Sequence, residues 1–375
     1  MKIAMYGHKR IPSREGGIEV VVEELSTRMV KLGHAVTCYN RSGHHVGDCK
    51  YDIQADLTDY KGVQLKKVFT IDSKGLAAMT SSFIAAINVS LNRYDIIHIH
   101  AEGPCFFCWI PKLFGRKVVV TIHGLDHMRL KWGRLAKTYI KYAEVVAAKC
   151  ADEIIVLSEG VKKYFLMQYG RETILIPNGV SKGRKRKVAE IETRYHLCAN
   201  EYILYLGRLV PEKGIDLLIK AFRQISTEKK LVIAGGGSDS KEYEKYIYEL
   251  ANNDSRVVFT GFVQGAVLEE LYSNAYIYVL PSYLEGMPLS LMEAMSYGNC
   301  CLTSDISECV DVTNEYGFSF TKGNVNDLKN KLQYLIDNPL IVEQYKENSS
   351  DYICQKYNWD NIAKATLDIY AKCVE

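Results

Sequence analysis

Short apolar runs alternate along this chain with longer stretches of helical spacing, and the alternation occurs twice. Lys2-Ile-Ala-Met-Tyr-Gly7 is a short strand ending in glycine, followed by a loop from His8 to Gly17. Ile18 to Leu32 has helical periodicity and is closed by Gly33 as a C-cap, and Ala35 to Tyr39 is the next strand. A β-loop-α-β opening predicts a parallel, doubly wound sheet. Ile96–Ile99, Val118–Ile122 and Ile154–Leu157 extend it, and Ile174 to Val180 is read as its last strand and turn. The alternation restarts at Tyr202–Leu206. It continues through a helix Ile215–Gln224, a strand Leu231–Ala234, a helix Lys241–Ala251, a strand Val257–Phe259, a helix Ala266–Asn274 and a strand Ala275–Leu280.

The predicted fold class is therefore α/β, with two Rossmann-like doubly wound domains facing an interdomain cleft. Residues 1–180 form the first domain and 201–355 the second. Between them, at 181–200, the basic run Ser181-Lys-Gly-Arg-Lys-Arg-Lys187 reads as a solvated linker. A final helix within 356–375, Trp359 to Cys373, follows a break near Asn338-Pro339 and is expected to cross back to the first half. A further helix, Gly75 to Asn92, lacks charge but is too short and too rich in Ser, Thr and Asn to span a bilayer. Leu76, Met79, Phe83, Ile84 and Ile87 recur at helical spacing and are expected to face the core; lying at a membrane surface is the second reading.

A length of 375 residues suits two domains, and 47% apolar with 24% charged residues is ordinary for a globular protein. A formal charge of +3 implies no nucleic-acid partner. Eleven scattered cysteines and an N-terminus without a secretory signal point to free thiols in a reducing cytoplasm. Cys105-Phe-Phe-Cys108 has no second pair nearby, so a buried apolar role is expected instead of zinc.

Candidate chemistry centres on Pro281-Ser-Tyr-Leu-Glu-Gly-Met-Pro-Leu-Ser-Leu-Met-Glu293. Glu285 and Glu293 flank a turn, Gly286 to Pro288, that opens a helix, and the N–H groups near Leu289 and Ser290 form a positive pole. That suits a ligand with both a diphosphate and hydroxyl-bearing rings. Gly207-Arg-Leu-Val-Pro-Glu-Lys-Gly214 follows a strand and brings Arg208 and Lys213 to one turn, where two cations neutralise an anion. No Asp-x-Asp pair is present, so no metal is expected and cations with a helix pole take its place. Gly16 and Gly17, with Glu19 just after them, occupy the first strand-to-helix loop. No G-x-G-x-x-G occurs there, against a dinucleotide oxidoreductase. Ala234-Gly-Gly-Gly-Ser238, including Gly235 and Gly236, offers a backbone wall for phosphate or ribose, and Phe262 and Val263 offer a nucleobase edge. His123 lies just past a strand end, with Asp126 and His127 beyond it, where ligands bind in such sheets. His98 and His100 share one strand face but lack a third metal ligand. Lys131, Arg134, Lys137 and Lys141 with Trp132, Tyr139 and Ile140 form a basic-aromatic helix that suits anionic lipid, with a solvated helix as the alternative.

Gly16-Gly17, Gly207-Arg208 with Lys213, and Ser282-x-x-Glu-Gly-x-Pro-x-x-Leu-x-Glu-Ala together resemble the retaining GT-B nucleotide-sugar glycosyltransferases of family 4, over nearly the whole chain. The resemblance implies that Glu285 contacts the transferred sugar and Glu293 the ribose. It implies that Arg208 and Lys213 hold the diphosphate, that Gly17 donates an N–H to it, and that His123 lies beside the donor sugar. Thr121 to Gly133 is similar to a bacterial subgroup of surface-polysaccharide rhamnosyltransferases. The expected activity is retaining, metal-independent transfer of a hexose or deoxyhexose, rhamnose foremost, to a glycan or lipid-linked hydroxyl acceptor. A nucleotide diphosphate sugar is the donor and no cofactor is needed; the expected location is cytoplasmic, with a peripheral place at the inner face of the plasma membrane as the second reading. Two rivals remain on this reading: a nucleotide-sugar epimerase or hydrolase, and a non-catalytic nucleotide-sugar binding module.

Overall fold

The structure, a computed structural model, describes residues 1–42, 57–71, 73, 76–129, 132–236, 240–252 and 254–375. Gly75, Lys131, Gly237 and Ser238, which entered the sequence reading, lie outside the described residues. The chain divides into two compact units. The first is built on Met1–Met128, Trp132–Gly179 and Trp359–Glu375, the second on Val180–Asn358.

In the first unit the strands are β1 (Lys2–Tyr6), β2 (Ala35–Arg41), β3 (Asp59–Tyr60), β4 (Val63–Val68), β5 (Ile96–His100), β6 (Val118–Ile122), β7 (Glu153–Val156) and β8 (Ile174–Leu175). They form one sheet in the order β3-β4-β2-β1-β5-β6-β7-β8. Only the β3–β4 pair is antiparallel among these described strands. Strands β5 and β6 are buried along their whole length, as suits central strands of a sheet covered on both faces, and their polar members His98, His100 and Thr121 are hydrogen-bonded there. The chain leaves β1 in one direction along the sheet and returns to its other side with β5. The topological switch therefore falls between β1 and β5, where loops at the carboxyl ends of strands form a crevice.

The second unit repeats the plan with β9 (Tyr202–Leu206), β10 (Lys230–Ala234), β11 (Val257–Gly261), β12 (Ile277–Leu280), β13 (Cys300–Ser304) and β14 (Phe318–Phe320). Their order is β11-β10-β9-β12-β13-β14, and every pairing is parallel. Here the switch lies between β9 and β12. The loops that leave these two strands carry Arg208 with Lys213 and Glu285, and the helix after the second loop carries Glu293.

Most expected elements occur within a residue or two of their predicted ends: the first helix is Gly17–Lys31, with Gly33 at φ +87°, and the last is Trp359–Val374. That last helix follows Tyr357-Asn358, and an unpredicted helix, Pro339–Lys356, occupies the chain after Asn338. In the first unit it packs on the helix Gly17–Lys31, Arg28 Nε donating to Asp360 Oδ1 at 2.8 Å. The basic segment after Val180 is packed onto the second unit: Arg186 is ion-paired with Glu269, and the Ala189 and Ile191 N–H groups donate to Glu270 Oε2. Ile191, on the short helix Glu190–Tyr195, is fully buried, which explains why this stretch is not a free tether.

The charge-poor helix runs from Leu76 to Leu91, and its orientation departs in part from the expected one: Met79 and Ile84 are half-buried, with Ile84 against the core as expected. Ser81, Ser82, Ala85, Ala86, Val89 and Ser90 face inward, whereas Leu76, Phe83 and Ile87 are exposed. Small residues let the helix approach the sheet closely, and the serine hydroxyls are satisfied by carbonyls one turn back: Ser82 Oγ donates to Ala78 O and Ser90 Oγ to Ala86 O, both at 2.6 Å. Cys105 and Cys108 are buried in the first unit's core, as their apolar reading required.

Candidate active site

The second unit's site grows from two loops joined at the sheet's switch point. After β9 the chain turns at Gly207, and Gly214 (φ +64°) ends the Pro211–Lys213 turn. A Cβ on Gly214 would stand 2.2 Å from the Pro281 carbonyl oxygen, so only glycine lets the two loops approach this closely. The Tyr283 N–H donates to Glu212 O at 2.8 Å, which completes the join. Across it, Lys213 Nζ donates to Glu285 Oε1 at 2.5 Å, with the side chains 14% and 7% exposed. Ser282 Oγ donates to the same oxygen at 2.6 Å. The cation expected to hold a diphosphate is thus paired with the carboxylate expected to hold the sugar. Arg208, in the same turn and half-buried, has no side-chain partner among the described residues.

Glu293 lies on the helix Leu289–Ser296, whose N-cap is Pro288. The Leu291 and Met292 N–H groups both donate to Pro288 O, so those of Leu289 and Ser290 form the helix's open end, with no side-chain cap and no acidic residue in the first turn. Such an end attracts an anion. Pro288 therefore immediately precedes the helix, at the end of the turn that opens it.

Three buried tyrosines that the sequence reading did not single out fix this geometry. Tyr205 OH donates to Arg208 O at 3.0 Å. Tyr278 OH reaches Leu206 O at 3.2 Å and Ser290 Oγ at 2.9 Å. Tyr272 OH donates to Ser290 O and to Glu293 Oε2, each at 3.2 Å. Burial raises all three phenols well above their usual range, with the Glu285 or Glu293 charges adding to it, so they stay protonated donors. For Tyr205 and Tyr278 the signal lay in the strand sequences Tyr202-Ile-Leu-Tyr205 and Tyr276-Ile-Tyr278, where a phenol on a core face needs a polar end point; Tyr272 lies on the helix Gly265–Asn274.

Gly235 (φ +143°) braces the first loop: a Cβ there would lie 1.8 Å from Gly207 O. The Gly207 N–H donates to Ala234 O, and the Leu209 N–H to Gly236 O. The carbonyl of Gly236 is thus spent on the turn that carries Arg208. Phe262 lies alongside Gly236, since a Cβ on that glycine would be 3.9 Å from the Phe262 Cβ; Phe262 and Val263 are both half-buried.

In the first unit, His123 follows β6 and its Nε2 is 3.1 Å from His100 Nδ1. His98 binds Tyr370 OH at 2.5 Å and Thr121 Oγ1 at 2.7 Å. Burial, reinforced by neighbouring imidazoles, lowers His98 to about 3 and His100 well below the usual value, so this strand presents neutral rings. Asp126 is held through its N–H, which donates to Glu102 Oε2 at 2.7 Å. His127 Nδ1 is 2.7 Å from Glu144 Oε1, and Glu144 Oε2 accepts from Tyr164 and Tyr169. Glu102, His127 and Glu144 bring ligand atoms within 4.8 Å of one another, a spacing a cation can bridge. Burial, then the Asp126 and Glu144 charges, pushes the Glu102 carboxyl well up, and a proton held there serves the same purpose. These bonds clamp the loop from His123 to Met128.

Gly17 begins the first helix and Gly16 is its N-cap. Glu19, expected on the acceptor side, is buried instead: its Oε1 accepts the Lys9 N–H at 2.8 Å and its Oε2 sits over Gly16. Its carboxylate closes the loop after β1, because an otherwise buried N–H needs an acceptor.

Comparison with known proteins agrees with this architecture. Residues 15–184 match the family model described as Glycosyltransferase Family 4, and 198–352 the one described as Glycosyl transferases group 1. The chain is 24% identical over 361 residues to an uncharacterized glycosyltransferase of Methanocaldococcus jannaschii, covering 95% of this chain and 94% of that protein. It is 25% identical over 256 residues to the capsular polysaccharide biosynthesis glycosyltransferase CapM of Staphylococcus aureus, covering 64% and 66%. Its fold is similar to that of Anabaena HepE, solved with UDP and glucose, at a TM-score of 0.81 and 16% identity, covering 99% and 100%. With glycosyltransferase models matched in order over 15–184 and 198–352 and the fold shared, the chain is a glycosyltransferase of the GT-B fold.

Proposed function

We propose that the protein transfers a hexosyl or deoxyhexosyl unit from a nucleoside diphosphate sugar to a hydroxyl of a glycan or lipid-linked glycan, with anomeric retention and without a divalent metal. The observation that carries this reading is the half-buried Arg208, whose side chain has no partner among the described residues, set in the same turn as the Lys213–Glu285 pair. A guanidinium in that position is an anion site in waiting. On donor binding, Lys213 exchanges Glu285 for the diphosphate, and Glu285 is released to accept hydrogen bonds from sugar hydroxyls. The open end at Leu289 and Ser290 adds peptide dipoles, and Glu293, steadied by Tyr272, accepts from the ribose.

As the anomeric C–O bond breaks, its electron pair goes to the diphosphate oxygen, where Arg208 and Lys213 meet the developing charge. The acceptor hydroxyl attacks from the same face and passes its proton to that oxygen. His123 and the Gly17 N–H are the first unit's proposed contributors. Gly235, Gly236, Phe262 and Val263 are assigned to the nucleoside, and Asp126 to the acceptor side. The likeness to CapM supports a role in surface polysaccharide, and the run Thr121 to Gly133 supports rhamnose as the sugar.

The experiment is a thermal-shift screen of UDP, GDP, dTDP and their sugars, followed by incubation of the stabilising donor with and without acceptor glycans. Acceptor-dependent nucleoside diphosphate release supports the proposal. Sugar epimerised or hydrolysed at full rate without acceptor would refute it, as would binding with no turnover on any acceptor.

A further inference from the structure

The helix Leu76–Leu91 buries serines and alanines and turns large apolar residues outward, an orientation that costs free energy in water. Phe83, Ile87 and Leu91 form one exposed ridge at helical spacing, Leu91 being 68% exposed. The short helix Trp109–Leu113 extends this surface with Trp109, Leu113 (75%) and Phe114 (54%). Two contacts fix the neighbourhood. The Phe83 ring lies 5.5 Å from Phe107, just before the short helix. Arg116 Nε and Nη2 donate to Ser90 O at 3.2 and 3.1 Å, bringing the two helix ends together. Scattered apolar residues on a surface need no explanation, but a contiguous set on adjoining helices marks an interaction site.

We infer that this face of the first unit docks on an anionic lipid bilayer. Charge selects that occupant over a second protein. Between Asp95 and Asp126 the only acidic residue is Glu102, which is fully buried. Asp95 is engaged by the Lys2 N–H, and Asp152 by Lys112 and the Val118 N–H. Arg93, Arg116 and Lys117 border the apolar set. A ridge of Phe, Ile, Leu and Trp rimmed by cations is the composition of an interfacial anchor, its apolar side chains entering the headgroup boundary while the cations meet phosphate. The basic helix expected to play this part does so poorly: Ile140 is buried, and Tyr139 donates to Gly103 O and packs on Phe106. The inference deepens the transferase reading, on which delivery of a lipid-linked acceptor rests.

Co-sedimentation with phosphatidylcholine vesicles, with and without phosphatidylglycerol, tests it. The wild-type chain is expected to sediment roughly tenfold or more with the anionic vesicles, and less as salt rises. The double variant L91E/L113E should stay in the supernatant. R93E/K117E should lose only the preference for phosphatidylglycerol. These side chains are exposed, so melting temperature and the thermal shift with UDP, GDP or dTDP should match wild type in both variants. That keeps failure of this inference distinct from failure of the donor reading. Wild-type protein remaining in the supernatant would overturn the proposal, as would equal sedimentation of L91E/L113E. So would a wild-type dimer that L91E/L113E converts to monomer without any vesicle binding.

Discussion

Arg208 and Lys213 belong to one turn but differ in what their removal breaks. Arg208→Ala removes no side-chain bond to any described residue, so stability should stay within about 0.5 kcal/mol of wild type. Turnover should nevertheless fall roughly 10²–10³-fold, the loss seen when one donor to developing negative charge is deleted. Lys213→Ala strands a buried Glu285 carboxylate and should cost about 3–5 kcal/mol of stability as well as turnover. Chemical denaturation and steady-state rates on the same two variants separate these effects. Both cations stood out in the sequence because they share one turn after a strand, although a solvated turn fitted that segment taken alone at least as well. Their unequal state was not legible, since pairing of Lys213 with Glu285 depends on two loops seventy residues apart meeting at Gly214. Glu19 shows the opposite case: an acidic residue beside two glycines looks functional in sequence, and only the nearby Lys9 N–H reveals its structural use.

Elements explain why the site holds its shape. Tyr278 ties β9's end to the helix that carries Glu293, so Tyr278→Phe should destabilise the chain by roughly 1–3 kcal/mol and weaken donor binding, with both visible in a nucleotide-dependent melting curve. Gly235→Ala should abolish donor binding, because its Cβ would collide with Gly207 O and displace the Arg208 turn. Strand β5 imposes a pH dependence. Burial lowers His98 to about 3, and His8, on the loop after β1, to about 4, against an unfolded value near 6.5. Their folded pKa values are depressed, so the unfolded chain takes up protons first. Stability is full above about pH 6.5 and declines as pH falls toward 4, by up to roughly 1.4 kcal/mol per unit for each histidine. Urea midpoints across this range provide the measurement; His98→Gln should flatten the slope. Strands and their order of succession were readable from apolar runs. The helix Leu76–Leu91 was not readable in orientation, because its large apolar residues recur at helical spacing, whereas small residues and serines bonded to carbonyls one turn back take much of the inward side.

Across the whole molecule, the repeated β/α alternation was the strongest signal, and it forecast two doubly wound sheets before any motif was considered. Residues 299–356 were less legible: β13 and β14 are short, and the helix Pro339–Lys356 has no strong apolar face. Asn324, which caps the helix Val325–Asp337 by accepting from Asn326 and Asp327, was a readable start signal that the apolar pattern obscured. The central claim is that fixed protein charge and peptide dipoles, not a divalent ion, receive the departing diphosphate. The direct measurement is the rate of nucleoside diphosphate release in the presence of donor and acceptor, with EDTA and then with magnesium or manganese restored. The account predicts one unchanged rate throughout. A rate that vanishes in EDTA and recovers only with added metal would contradict it.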